Sequence, residues 1–208
     1  MKSRVALIAL VVAAAGAAAA LAAAGVIRHR GAPSAARCGG PLWRLKTLSD
    51  PGRGRVDLTP TPTTIAAIRE RQGPGRPPLR RTTSFQTHVW EVPAQITSYK
   101  LEATGALRLV LYDDNAYINA VVPSASCLSA RTRDRAEILD AWNDFTTKCG
   151  KATPTWQSLG AILFVRGVGF WSQRRQERGS APNGAELYPV TGFRVIAGCR
   201  QTSISRRG

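Results

Sequence analysis

A chain of 208 residues with 29 lysines and arginines against 13 aspartates and glutamates carries a net charge of +16. That length leaves room for one ordinary domain besides any targeting segment, which excludes large multidomain architectures. Two histidines and four cysteines make histidine-rich or thiol-rich metal sites poor expectations.

The N-terminus reads as an export segment. Lys2 and Arg4 precede Val5 to Ile27, a run without a charged or polar side chain, and Arg28, His29 and Arg30 end it. Charge, apolar stretch and then small residues is the layout of a secretory signal. Ala22 and Ala24 fit a small-x-small cleavage site, as do Ser34 and Ala36. An uncleaved anchor is the alternative, since the run is long enough for a hydrocarbon core that needs ~20 residues. Much of the run is alanine, however, which partitions weakly. Residues 1–36 are therefore read as a signal peptide or an N-terminal membrane anchor, with the domain outside the cell in either case. Arg37, directly before Cys38, argues against lipid attachment.

Four of the 29 basic residues precede position 37 and no acid does, leaving 25 basic against 13 acidic side chains in the remainder. Such an excess attracts polyanions such as nucleic acid or anionic envelope polymers. Arginine outnumbers lysine 24 to 5, beside abundant alanine, glycine and proline, which a GC-rich genome also produces.

Cys38, Cys127, Cys149 and Cys199 form an even set in an exported chain and imply two disulfides. No C-x-x-C pair supports a redox motif or a zinc knuckle. Cys127 and Cys149 flank one predicted helix while Cys38 and Cys199 bracket the domain, so Cys127–Cys149 and Cys38–Cys199 are the expected pairs.

In chain order, residues 37–82 hold a strap, a short helix and a Pro/Gly/Arg-rich loop. Leu42 to Leu48 alternates like a short strand or an extended strap. Thr61 is the expected cap and Pro62 the first residue of the helix, with Ile65 and Ile68 on its apolar face and Gly73 beyond its end. Residues 83–199 form the main domain. Trp90, Val92, Ala94 and Ile96 share one strand parity, and Tyr99 and Leu101 continue on the other, the pattern of a β-bulge. Gly105 makes the next turn. Leu107, Leu109 and Leu111 mark a second strand, Asp113-Asp114-Asn115 a turn, and Ala116, Ile118, Ala120 and Val122 a third strand. A helix follows over Ser129 to Lys148, burying Ala136, Leu139 and Phe145. Ala161 to Trp171 is apolar on both faces, and Glu186 to Ala197 is the last strand, with a phase shift near Gly192. Residues 200–208 form a basic tail. Three strands, a helix and two strands, the first one bent, is the order of a five-stranded OB-like barrel with its helix between strands three and four. The fold class is thus mainly β with helices, disulfide-stapled, with an open α+β sandwich as the alternative.

Catalytic signals are weak. No G-x-S-x-G, H-E-x-x-H, P-loop or G-x-G-x-x-G occurs. Gly167-Val168-Gly169 continues an apolar strand, and close packing explains it better than phosphate binding. His88 has no carboxylate on its own strand parity to orient it, and an ordinary strand residue accounts for it. Asp113 and Asp114 are ordinary turn chemistry.

Gly167-Val168-Gly169-Phe170-Trp171, the block from Ala181-Pro182-Asn183-Gly184-Ala185-Glu186-Leu187-Tyr188-Pro189-Val190, and Trp43-x-x-Lys46-Thr47-Leu48-Ser49-Asp50 carry a resemblance. Together they resemble an uncharacterised family of secreted bacterial domains that look like OB-type barrels and have no settled activity. Relatives tend to carry Asp-Gly-Asp-x-His where this chain has Thr104-Gly105-Ala106-Leu107-Arg108. They tend to carry an aspartate and His-Gly-Gln where it has Ser172 and Arg175-Gln176-Glu177, and a histidine where it has Tyr188. An arginine stays protonated and neither ligates a cation nor serves as a base. The resemblance therefore implies a divergent member without catalysis, in which Asn183 and Glu186 persist.

The expectation is an exported, non-enzymatic domain that binds an extracellular polyanion or a cell-envelope partner, with no cofactor and no metal. Arg108, Arg174, Arg175 and Arg178 are the expected ligand-binding cations, flanked by Trp171 and Tyr188. Core packing of the two aromatics and solvated arginines is the competing account. A divalent-metal phosphodiesterase using Asp113, Asp114 and Glu186 is one alternative function, and a structural envelope protein without a ligand is another.

Overall fold

The computed structural model describes residues 38–39 and 42–199; residues 1–36, expected to be a signal peptide or anchor, and the expected basic tail 200–208 lie outside them. Six strands form one sheet, with apolar periodicity in all but the first: β1 (Asp57–Pro62), β2 (His88–Leu101), β3 (Leu107–Asp113), β4 (Ala116–Val122), β5 (Gln157–Trp171) and β6 (Ala185–Ala197). Their order is β1-β2-β3-β4-β6-β5, and β2 also pairs with β5, so β2 to β6 close into a ring. All neighbours in the ring are antiparallel except β4 and β6, which run parallel.

Closure depends on β2. Its register slips between Ile96 and Ser98 against both β3 and β5, so the expected bulge is present and the buried parity changes from Ile96 to Tyr99. A bulge bends and twists a strand, which lets one strand serve two neighbours. A second slip falls where β6 passes Gly192. Asp114 and Asn115 both take positive φ (41° and 59°) to turn β3 into β4. The inward positions of the ring, among them Leu107, Leu109, Leu111, Ile118, Val122, Leu163 and Leu187, form the main core.

Gly169 is fixed by close approach. A Cβ there would collide with the Phe85 carbonyl, and one on Gly167 would meet the Leu187 Cβ at 3.0 Å. The Gly-x-Gly stretch is thus a packing device inside β5.

Four expectations need correction. Leu42–Leu48 is not extended: Trp43–Lys46 makes one helical turn, α1, closed by Thr47 and Ser49 amides on the Trp43 and Arg44 carbonyls. The helix expected from Pro62 starts later. Residues 57–62 instead pair in parallel with β2, and Thr64 caps α2 (Ile65–Arg69) by accepting from the Ala67 amide at 3.1 Å. Helix α3 spans Arg135–Lys148 and not Ser129–Lys148. Ser129 and Thr132 bond locally across a turn, and Asp134 adopts φ 59°, so the helix cannot extend backward. Its buried face is Ile138, Ala141 and Phe145; Ala136 is exposed and Leu139 only partly covered.

The disulfides are the fourth correction: Cys38 pairs with Cys127 and Cys149 with Cys199. Cys127 lies beside the β2–β3 turn, its Sγ 3.8 Å from the Thr104 carbonyl, and bonds Cys38 there. Helix α3 instead packs on β6, which brings Cys149 to Cys199. Disulfides form and persist in oxidising compartments, so the pairing indicates an extracytoplasmic environment. Among the described residues no helix is long and apolar enough to cross a membrane.

Outside the ring, Leu45 of α1 and Leu42 just before it cover a second small core of Ala106, Val121, Phe170 and Tyr188. Arg81, 3% exposed, fastens this strap. It donates to the Asp50 carboxylate at 2.9 Å, the Leu45 carbonyl at 3.0 Å and the Gln86 carbonyl at 2.7 Å.

Candidate functional site

Strand alternation decides which side chains face outward. Leu107 and Leu109 point into the ring, so Arg108 between them emerges on the outer face, as Glu186 does between Ala185 and Leu187. Arg108 donates from Nε to Glu102 Oε1 at 2.6 Å and from Nη1 to Glu186 Oε1 at 3.3 Å. Burial opposes its charge, but the two glutamates outweigh burial and hold the guanidinium above its ordinary pKa. Burial likewise opposes ionisation of Glu102, yet Arg108 and then Lys100 hold its carboxyl below the usual range. Glu186 Oε2 is buried without a hydrogen-bond partner among the described residues.

These groups line a polar cleft of about 440 Å³ between α1 and the loop from Ser172 to Gly184. Lys46 enters from α1, its amine 5.3 Å from the Phe170 ring centre and 5.0 Å from that of Tyr188. Burial pulls its pKa below the ordinary lysine value, with Glu186 partly offsetting the effect. No carboxylate lies within ion-pair distance of Lys46 among the described residues. Lys100 reaches Glu102 at 3.6 Å. Arg175 enters from the loop, bonded to Glu177 at 3.2 Å and Gln173 at 3.4 Å. The loop is anchored by the Ser172 amide on the Gly184 carbonyl and by Asn183. The Asn183 amide donates to the Ile68 and Arg71 carbonyls at 2.9 and 3.0 Å, so this residue docks the loop on the end of α2.

Arg108 and Arg175 therefore line the same cleft. Arg174 turns away to the Gly73 carbonyl at 3.3 Å, and Arg178 lies 5.3 Å from the Trp156 ring in a separate groove beside Thr97 and Tyr117. Trp171 and Tyr188 are 2% and 3% exposed and offer no open ring to a ligand. Trp171 packs in the main core 4.7 Å from Phe85 and donates to Thr83 Oγ1, while Tyr188 forms the floor beneath Lys46. Burial pushes the Tyr188 hydroxyl well above its ordinary pKa.

The residues of the metal-dependent alternative do not gather. Asp113 and Asp114 sit at the β3–β4 turn, Glu186 is held by Arg108, and no group of three or more His, Cys, Asp or Glu side chains is arranged for a metal ion among the described residues. His88 binds the Ser84 carbonyl through Nδ1 at 2.8 Å. Lys46, Lys100 and Glu102 are site residues that sequence reasoning missed. Only Lys46 carried a signal, as part of the Trp43-x-x-Lys46 block.

No family model matches the chain, and no curated protein matches it at a significant level. Among solved structures it is similar to one from Leishmania major Friedlin assigned as an aspartyl-tRNA synthetase. Identity is 11%, the match covers 67% of this chain and 21% of that one, and the TM-score is 0.41. The chain thus spans about a fifth of that structure, and the likeness carries no argument about fold or activity.

Proposed function

We propose that the chain is an exported, non-enzymatic binding domain of OB-like architecture, and that it takes a hydroxyl-bearing extracellular polyanion, such as an anionic envelope glycan, in the Arg108 cleft. The strand ring and the helix between β4 and β5 support the OB-like reading, as does the bend in β2. The cleft lies beside the connections from β2 to β3 and from β5 to β6, and OB barrels bind oligonucleotides and oligosaccharides beside the corresponding loops. The resemblance in the Ala181–Val190 block agrees with this assignment. The apolar N-terminal run and the disulfides support export.

The observation that carries the reading is Lys46. Arg108 already engages Glu102 and Glu186, and Arg175 engages Glu177. Lys46 is left as a half-buried cation in no ion pair among the described residues, held over two aromatic rings. An anionic group placed there gains from a site where water screens little. Glu186 Oε2 offers an acceptor for a neighbouring ligand hydroxyl.

Retention on immobilised heparin tests the reading. The chain is expected to elute with salt, and Lys46→Gln combined with Arg175→Gln to elute earlier while the unfolding midpoint stays put. Equal retention of the variant would contradict it, as would EDTA-sensitive cleavage of a phosphodiester by the purified chain.

A further inference from the structure

A second basic cleft, of about 520 Å³, lies on the other side of α1. Four arginines line it, Arg44, Arg55, Arg80 and Arg81, against a single carboxylate, Asp50, which Arg81 already holds. Arg44 and Arg80 are exposed, and their side chains make no hydrogen bond or ion pair among the described residues. Arg55 donates to the Arg81 carbonyl at 2.9 Å and makes no ion pair among the described residues. This cleft is more one-sided in charge than the Arg108 cleft, and none of its arginines belongs to the set expected from the sequence.

The two clefts share their walls. Leu42 and Lys46 line one and Arg44 and Leu45 the other, because side chains two positions apart diverge by roughly 200° around a helix of 3.6 residues per turn. The loop after α2 does the same, with Pro77 facing the Arg108 cleft and Leu79 and Arg80 the arginine cleft. One helical turn, ~10–12 Å across with its side chains, is the ridge between them. The ridge itself is held by the buried Arg81–Asp50 pair.

We infer that the arginine cleft is a second subsite for the same ligand, so that the domain grips an extended anionic chain over α1 with its charges in both clefts. This rests on the proposed polyanion function and adds to it a requirement for length. A short anion fills one cleft. A chain that crosses the ridge fills both, and its second contact is intramolecular, which raises affinity by ~10²-fold or more when the span fits.

The test compares heparin-derived disaccharides and octasaccharides by calorimetry at one fixed ionic strength. The octasaccharide is expected to bind ~10²-fold more tightly. Arg44→Gln with Arg80→Gln should remove most of that advantage and leave disaccharide binding in the Arg108 cleft intact. Arg131→Gln with Arg135→Gln, an equal charge loss at two other exposed positions, should leave the advantage in place. If the Arg44/Arg80 variant keeps the full advantage, or the control pair abolishes it equally, the second subsite is overturned and the polyanion reading stands. If neither oligosaccharide binds, both fall.

Discussion

Arg81 shows what a buried charge does when both terminal nitrogens are partnered, its Nε alone being buried without a partner among the described residues. Its guanidinium joins the Asp50 carboxylate to the Leu45 and Gln86 carbonyls, and its side chain and that of Asp50 are 1% and 7% exposed. Arg81→Met strands a buried carboxylate and two carbonyls and should cost about 3–5 kcal/mol in urea unfolding, whereas the double variant Asp50→Asn/Arg81→Met should recover part of that loss. Equal stability of wild type and Arg81→Met would remove Arg81 as the fastener of the strap. Glu102 predicts a pH effect. Its carboxyl is held below the ordinary value of 4.5, so its contribution to stability is complete above that value and fades as pH falls through the lower folded-state value. Glu102→Gln should therefore be less stable than wild type at pH 7, and the gap should close in acid. Parallel stability curves across that range would contradict the assignment. None of these pairings was legible in the sequence, because Asp50 and Arg81 are 31 residues apart and neither sits in a periodic segment.

At the scale of elements, strand periodicity was the readable part. Leu107, Leu109 and Leu111 alternate cleanly, and the parity change from Ile96 to Tyr99 in β2 marks the bulge. Gly167 and Gly169 were readable too, because their apolar neighbours favoured packing over ligand binding. Elements without a period were not readable. Pro60 and Pro62 hid β1, a short strand that pairs only along the beginning of β2. α1 is a single turn, stabilised by its apolar contacts with Phe170 and Tyr188 and by the Arg81 brace, and such tertiary support leaves no helical repeat in the sequence. The disulfide pairing required the packing of α3 on β6, which spacing alone does not encode. Since Cys149–Cys199 joins positions 50 apart, the chain-entropy model assigns it about 4 kcal/mol. Cys149→Ser/Cys199→Ser should lower the unfolding free energy by about that amount; an unchanged midpoint would mean that α3 and β6 stay docked in the unfolded ensemble.

For the whole molecule, charge is the property that composition announced and the fold then distributes. The sequence pointed to four arginines and two aromatics. Of the arginines, two share a cleft, one folds back on the Gly73 loop and one lies over Trp156. The aromatics are inside because strand alternation and the covering α1 claim them, which local composition beside a loop could not reveal. The proposed function rests on Lys46, the cleft cation in no ion pair among the described residues, together with Arg175. The most direct measurement is the salt dependence of oligothymidine binding, a polyanion probe whose slope counts displaced counterions. The slope of log K against log salt should be negative, and Lys46→Gln/Arg175→Gln should make it shallower by ~1.4, at ~0.7 per neutralised contact on a single strand. An unchanged slope in that variant, or binding indifferent to salt, would mean that this cleft does not hold the anion.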